Sequence, residues 1–398
     1  MRPDGGHLVR LALLVLAGLL VGGCAADRAQ RATPPASVTI VRREQLAPLS
    51  RCGRPPAGRL GYAWPVRPFH AQHPIRGNFG DPRTVSMEEF GIDGPGLAGD
   101  YSFHNGVDIS ARPGTPVYPV VSGIAHLRAG NEVTVRAGSR VFQYRHLTVK
   151  VRDDEHVVAG VTVLGLVRFP AQHVHLSEID HERVTNPALH LRPYRDRTAP
   201  IVRALEFRDG LGHTVSADSL SGTVSIIAWV DDSPPVAAPG AWQGLPVAPA
   251  RVRWKLVDAT GATRVARIVA DFRRGEPLQQ RFWNVYAPGT YQNFPVFDNH
   301  FYWHQAGRFL FQLTPARFDT RRLGNGTYTL QVEAGDICGN RGTLTQQVRI
   351  TNPPPRYPAT ASSPVRRPVA SSVSCSPVMM SGGEICSPSR RATTEARD

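Results

Sequence analysis

The chain is short of cysteine, of aromatic residues and of long apolar runs. Five cysteines among 398 residues are too few for a domain built on disulfides. None of them are spaced C-x-x-C, which argues against a thiolate zinc site. Beyond the N-terminus no stretch holds the roughly 20 uninterrupted apolar residues of a membrane-spanning helix, which excludes a polytopic membrane protein. The H-E-x-x-H of glutamate-based metallohydrolases is also missing, so a hydrolase built here would need a different proton acceptor. Clear amphipathic helices are absent, and aromatics amount to only 8%. Acidic residues are outnumbered, 32 against 46 Lys and Arg, for a formal charge of +14. Such a balance raises nucleic acid as a partner. The length predicts two domains, each able to bury a core.

The N-terminus reads as an export signal. Arg2 and Arg10 precede a 13-residue apolar run from Leu11 to Gly23, too short to span a bilayer. The run ends Val21-Gly22-Gly23-Cys24, which resembles the bacterial lipobox, so residues 1–24 are expected to be a lipoprotein signal and Cys24 the lipidated residue. Ala25 and Ala26 follow, with no Asp at the second position. A lipid anchor in the cell envelope is expected, on the outer membrane facing the periplasm if the cell has two membranes. Cys52, Cys338, Cys375 and Cys386 remain for disulfides, with a pairing that spacing does not fix.

Residues 25–59 carry no periodicity and are expected to be a flexible tether. From 60 to 195 come short β-like runs cut by turns, at Val117–Val121, Glu132–Val135, Val141–His146, Val161–Val167 and His173–Ile179. A second β-rich stretch covers 196–351, with runs at Thr223–Val230, Val252–Val257, Phe309–Leu313 and Thr327–Glu333. An Asn325-Gly326 step there is a hairpin signal, and the spacing of strands suggests a sandwich. The segment from Gly326 to Asn340 resembles the closing strands of bacterial immunoglobulin-like domains. Residues 352–398, rich in Pro, Ser and Arg, are expected to be disordered. The expected fold is therefore all-β, a first β domain followed by a β-sandwich.

Charge and histidine are distributed differently. Residues 71–195 hold 13 basic and 13 acidic positions, so the basic excess lies in the tether, the second domain and the tail. That pattern suits association with anionic envelope surfaces and not a nucleic-acid site, for which no zinc-finger spacing, RNP-like run or basic helix is present. Eight of the 14 histidines fall between 101 and 190. His173-Val174-His175 matters most, because residues i and i+2 of a strand project from one face. Two imidazoles side by side can share a metal, or one can ligate while the other works beside it. His104-Asn105-Gly106-Val107-Asp108 adds a third imidazole and a carboxylate, and Tyr144-Arg145-His146-Leu147 a fourth imidazole. A catalytic zinc takes three protein ligands from N and O donors and keeps a position open. His126, His156, His181 and His190 are read as surface or structural.

Over roughly residues 66–192 the chain resembles the lysostaphin- or LytM-type zinc metallopeptidases that cut peptidoglycan cross-links. The resemblance runs through Pro74-Ile75-Arg76-Gly77-Asn78-Phe79-Gly80, the His104–Asp108 segment, Gly114-Thr115-Pro116-Val117-Tyr118, Tyr144–Leu147, the glycines at 160 and 165, the H-x-H and Asn186-Pro187. It implies one Zn2+ held by His104, Asp108 and His175, with His146 and His173 as the non-ligand pair around a metal-activated water, their two roles interchangeable at this stage. It also implies peptidoglycan peptides as substrate and zinc endopeptidase as activity, with the cleaved bond left open. There are departures. Arg168-Phe169-Pro170-Ala171-Gln172 stands where the family has a Gly/Ser/Thr-rich loop, Ser177 stands where an acidic residue is common, and 84–101 looks inserted. The alternative is a non-catalytic LytM-like module that positions or activates other wall hydrolases; such relatives lose ligand positions, and all five are kept here. The second domain is left with an envelope protein or glycan as its partner. Its aromatic stretch Tyr291–Trp303 either docks that partner or fills the sandwich core.

Overall fold

The computed structural model describes Cys52 and residues 61–84, 101–128, 131–297, 300–315 and 317–354. The signal with Cys24, all of the tether but Cys52, most of the inserted segment and most of the tail lie outside the described residues. The described chain is built of strands, with a single α-helical turn at Phe282–Val285.

The first region is centred on an eight-stranded antiparallel sheet. Its order is Ile75–Gly77, Val107–Ser110, His173–Asp180, Arg140–Arg145, Glu132–Ala137, Gly123–Arg128 and Glu155–Val157, with Arg183–Thr185 pairing the far end of His173–Asp180. The alternation of His173–Asp180 explains its central place. Val174 and Leu176 are fully covered on one face, and Leu176 pairs with Val107 on one side and Tyr144 on the other. His173, His175 and Ser177 take the opposite face. The expected run Val117–Val121 shortens to Pro116–Val117, since Pro119 cannot donate to a ladder. The run Val161–Val167 shortens to Gly165–Val167, because Thr162 N–H turns back to Val158 O at 3.0 Å. These pieces join Leu147–Val149 in a three-stranded sheet.

The second region contains two four-stranded sheets. One holds Ile201–Arg208, Thr223–Asp231, Leu310–Gln312 and Phe318–Asp319; the other holds Thr263–Asp271, Arg251–Asp258, Gly326–Gly335 and Arg341–Ile350. Period-two burial is clean in Gly326–Gly335, where Tyr328, Leu330, Val332 and Ala334 face inward. Asn325-Gly326 does not close a hairpin. The strand it starts pairs with Arg251–Asp258 and Arg341–Ile350. The hairpin turn is Asp336–Asn340, where the Asp336 carboxylate accepts from Cys338 and Asn340 N–H, each at 2.9 Å. Cys338 in this turn is disulfide-bonded to Cys52, 286 residues earlier.

One apolar core runs through both regions. At their junction Phe103 packs against Phe272, Phe282 and Tyr286, with ring centroids 5.6, 5.3 and 5.9 Å apart. Gly80, at φ 89°, lies so close to the Phe272 ring that a Cβ would sit 2.4 Å from it. Only glycine meets both demands. Polar groups are paired across the junction as well: Tyr286 OH donates to Gly80 O at 2.6 Å, Ala248 N–H to Asp81 Oδ1 at 2.7 Å, and Asn186 Nδ2 to Phe272 O at 3.0 Å.

Candidate metal centre

The ladder positions the site. Antiparallel pairing sets His175 directly opposite Asp108 and His173 opposite Ser110. His104 lies one short turn ahead of Val107–Ser110, and its approach depends on Gly106, whose Cβ would fall 2.4 Å from Leu176 O and 2.7 Å from His175 Nε2. His146 stands at the step between the two sheets with φ 66°, a left-handed conformation that non-glycine residues adopt sparingly. That backbone sends its ring against His173, centroid to centroid 4.3 Å. All five sequence-predicted residues therefore meet in one place.

Three of them form a tight donor set. His104 Nε2 is 2.9 Å from His175 Nδ1, and each is 3.1 Å from Asp108 Oδ1. The outer nitrogens explain which lone pairs point inward. His104 Nδ1 faces the Asn78 carbonyl at 2.8 Å, and a carbonyl only accepts, so the proton sits on Nδ1. His175 Nε2 lies 2.7 Å from Ser177 Oγ, which can hold that ring's proton outward. Two unprotonated nitrogens and a carboxylate oxygen then converge, an arrangement that calls for a cation between them. Ring nitrogens held by outer hydrogen bonds are what zinc-ligating histidines show. The residues fit a zinc ion.

Their protonation agrees. Burial, with the nearby Arg83, lowers His104; burial lowers His175 to about 4. Burial also holds His146 far below its ordinary range, with further lowering from His173. Burial alone would raise Asp108, but His104, His173 and Arg83 hold it well below the usual carboxylate value. Neutral imidazoles around an ionised carboxylate are the state that binds a metal.

Sequence reasoning missed the supporting residues. Arg83 Nη2 donates to Asp108 Oδ2 at 2.7 Å. Arg76 Nη2 donates to Ala171 O at 2.7 Å and to His173 Nδ1 at 2.6 Å. Both arginines lie in or just after the stretch from Pro74 to Gly80, yet no spacing rule marks them. Ser177, noted above as a departure, turns out to be the partner of His175. The largest omission comes from the second region. The site opens into a cavity of about 540 Å³ that Trp242, Gln279, Gln292, Asn293 and Phe294 also line. The Arg76 guanidinium lies over the Trp242 ring at 4.2 Å, and Trp242 meets Phe294 edge-on at 4.5 Å. The aromatic stretch is thus divided: Phe294 is buried against the cavity wall, whereas Tyr302 and Trp303 are exposed.

No family model and no curated protein matches the chain. Among solved structures it is similar to the catalytic domain of a prophage-encoded M23 protein, EnpA, from Enterococcus faecalis, at 24% identity and TM-score 0.20, over 26% of this chain and 88% of that one. A zinc-containing peptidase from Vibrio cholerae matches at 23% identity and TM-score 0.26, over 33% of this chain and 40% of that one. M23/LytM-type peptidases are thus among its structural neighbours. The SpoIIQ–SpoIIIAH pore-forming complex is another, at 18% identity and TM-score 0.27, over 34% of this chain and 92% of that one. Likeness at these TM-scores carries no argument about activity, which has to rest on the five side chains.

Proposed function

We propose that the chain is a zinc-dependent endopeptidase that hydrolyses peptide cross-links of peptidoglycan, lipid-anchored in the cell envelope through Cys24. The observation that carries this reading is the convergence of His104 Nε2, His175 Nδ1 and Asp108 Oδ1 beside the non-ligand pair His146 and His173. A Zn2+ held by His104, Asp108 and His175 would supply the Lewis acidity that polarises a peptide carbonyl and acidifies a water.

The chain's own groups divide the remaining work. His173 Nδ1 lies between a donor and an acceptor, 2.6 Å from Arg76 Nη2 and 2.7 Å from Ala171 O, so its contacts are met by either neutral tautomer. His173 Nε2 faces the donor set, 3.4 Å from Asp108 Oδ1; in the tautomer protonated there it would donate to oxygen as negative charge develops. In that allocation His146, kept neutral by burial, would take the proton from water and pass it to the leaving amine. Arg76 and Trp242 bound the space in which a peptide lies, with the amides of Gln279, Gln292 and Asn293 available to its backbone. Exported lipoproteins of this kind meet wall peptides, and the basic tether and second region suit anionic envelope surfaces.

The test is incubation of the purified protein with peptidoglycan, followed by mass spectrometry of the released muropeptides. New amine and carboxyl termini within cross-bridges or stems are expected. Intact cross-links after prolonged incubation with zinc present would contradict the proposal and favour a binding module whose cavity is walled off by the second region.

A further inference from the structure

A second cluster of acidic groups lies away from the histidines. Asp196 comes from the segment joining the two regions, Asp232 from just after strand Thr223–Asp231, and Asp336 from the Asp336–Asn340 turn. Each offers an oxygen within 4.8 Å of the others. Asp232 and Asp336 are almost wholly buried, at 3% and 5% exposure, and Asp196 is half-buried. Among the described residues no Lys, Arg or His forms an ion pair with any of the three. Their bonds are to N–H groups nearby in sequence: Thr198 to Asp196, Ser233 to Asp232, and Cys338 and Asn340 to Asp336. The Asn340 amide also reaches Asp336 Oδ2 at 2.6 Å. Among the described residues the one side-chain bond of Asp232 is to its Oδ1.

Tyr194 gives an independent pointer. Its side chain is 4% exposed and stacked on Trp64 at 6.5 Å, yet its hydroxyl makes no hydrogen bond among the described residues. A buried phenol ordinarily finds a partner. The charges of all three aspartates act on this hydroxyl, and it lines with them a cavity of about 20 Å³. That is room for one ion or one water. Four oxygen-bearing groups thus line a small space that no described residue fills.

We propose that Asp196, Asp232 and Asp336, with the Tyr194 hydroxyl, form a calcium site that ties the joining segment, the first sandwich sheet and the Asp336–Asn340 turn together. An all-oxygen donor set with three negative charges suits a hard cation and not a transition metal. Ca2+ accepts about six to eight oxygen ligands in flexible geometry and tolerates mixed carboxylate and water ligation, whereas Mg2+ demands a near-ideal octahedron at about 2.1 Å. The alternative way to relieve such a cluster is protonation. Burial first, and then the neighbouring carboxylates Asp196, Asp336 and Asp231, push Asp232 up to about 8; burial pushes Asp196 up to about 6. A divalent cation removes the same repulsion without protons. The site is separate from His104, Asp108 and His175 and stands whether or not the chain is a peptidase. Asn78 connects the two places, since it lines this cavity and its carbonyl holds His104.

The test uses the full chain with His175→Ala, which removes the imidazole site as a source of metal binding, stripped with a chelator and titrated with CaCl2 at pH 7.5. One calcium per chain is expected, with a rise in melting midpoint of about 5 °C at saturation and a much smaller response to equal MgCl2. Asp232→Asn should abolish the calcium-dependent rise, and Tyr194→Phe should weaken calcium binding several-fold. Should Asp232→Asn not fold, the half-buried Asp196→Asn serves the same purpose. No saturable calcium binding, equal responses to calcium and magnesium, or Asp→Asn variants that respond like the parent would each overturn the proposal.

Discussion

Single side chains decide whether the centre can hold a metal. Ser177 illustrates this, because its hydroxyl occupies the place from which His175 Nε2 must be held. Ser177→Ala is expected to lower zinc affinity about 10- to 100-fold, the usual effect of losing an outer partner of a ligating histidine, measured by competition with a chromophoric chelator. Its neighbour Glu178 lies on the opposite, core-facing side of the same strand. It is fully buried among Tyr62 OH, His190 Nδ1 and Arg140, at 2.8, 2.8 and 2.7 Å. Burial alone would raise this carboxyl, yet His190, Arg140 and Tyr62 hold it below its ordinary 4.5. A depressed carboxyl stabilises the fold above its unfolded value and loses that contribution as pH falls through the folded one. Stability should therefore drop below about pH 4.5. Glu178→Gln, which leaves Arg140 without its carboxylate, should cost about 3–5 kcal/mol at neutral pH and flatten that acid limb, read by urea denaturation across pH.

At the scale of elements, the strand His173–Asp180 was legible from its alternation, and with it the shared face of His173 and His175. The order of the motifs carried His104, Asp108 and His146 to the same place. Periodicity says nothing about what approaches a strand from elsewhere in the chain, so Arg76 and Arg83 escaped notice. The Asn325-Gly326 hairpin failed for a related reason: a turn dipeptide bends the chain, but the pairing follows the buried faces of the strands that flank it. Gly106 is the tightest element-level constraint at the site. Gly106→Ala should push the His104 segment off Leu176 O, with loss of bound zinc exceeding any loss of fold as judged by metal analysis and circular dichroism. The wall supplied by Gly240–Trp242 makes a different prediction. Trp242→Ala should raise KM for a cross-linked peptide several-fold, leave zinc content unchanged, and lower kcat only as far as Arg76 loosens its hold on His173.

For the whole molecule, length and strand-like runs led to the expectation of an all-β chain of two domains, and the described residues are built of strands. Each domain was expected to bury its own core, whereas one core runs through both regions; an aromatic junction such as Phe103 with Phe272 and Tyr286 leaves no local pattern. Nor did the strand-like runs reveal that the second region walls the cavity of the first. The basic excess outside residues 71–195 is consistent with a first region whose proposed chemistry needs no polyanion. The Cys52–Cys338 bond fastens a residue ahead of the first sheet to the closing hairpin of the second region, a pairing that spacing alone left open.

All three scales meet in one claim, that His104, Asp108 and His175 hold a zinc ion that the chain uses to hydrolyse wall peptides. The most direct measurement is zinc content and dye release from labelled peptidoglycan on the same preparations of the parent and His175→Ala proteins. One zinc per parent chain, its loss in His175→Ala, and a fall in release of at least about 1000-fold, the scale of removing an essential catalytic group, are the predicted results. A parent chain that binds no zinc, or a zinc-free variant that releases dye at the parental rate, would contradict the account.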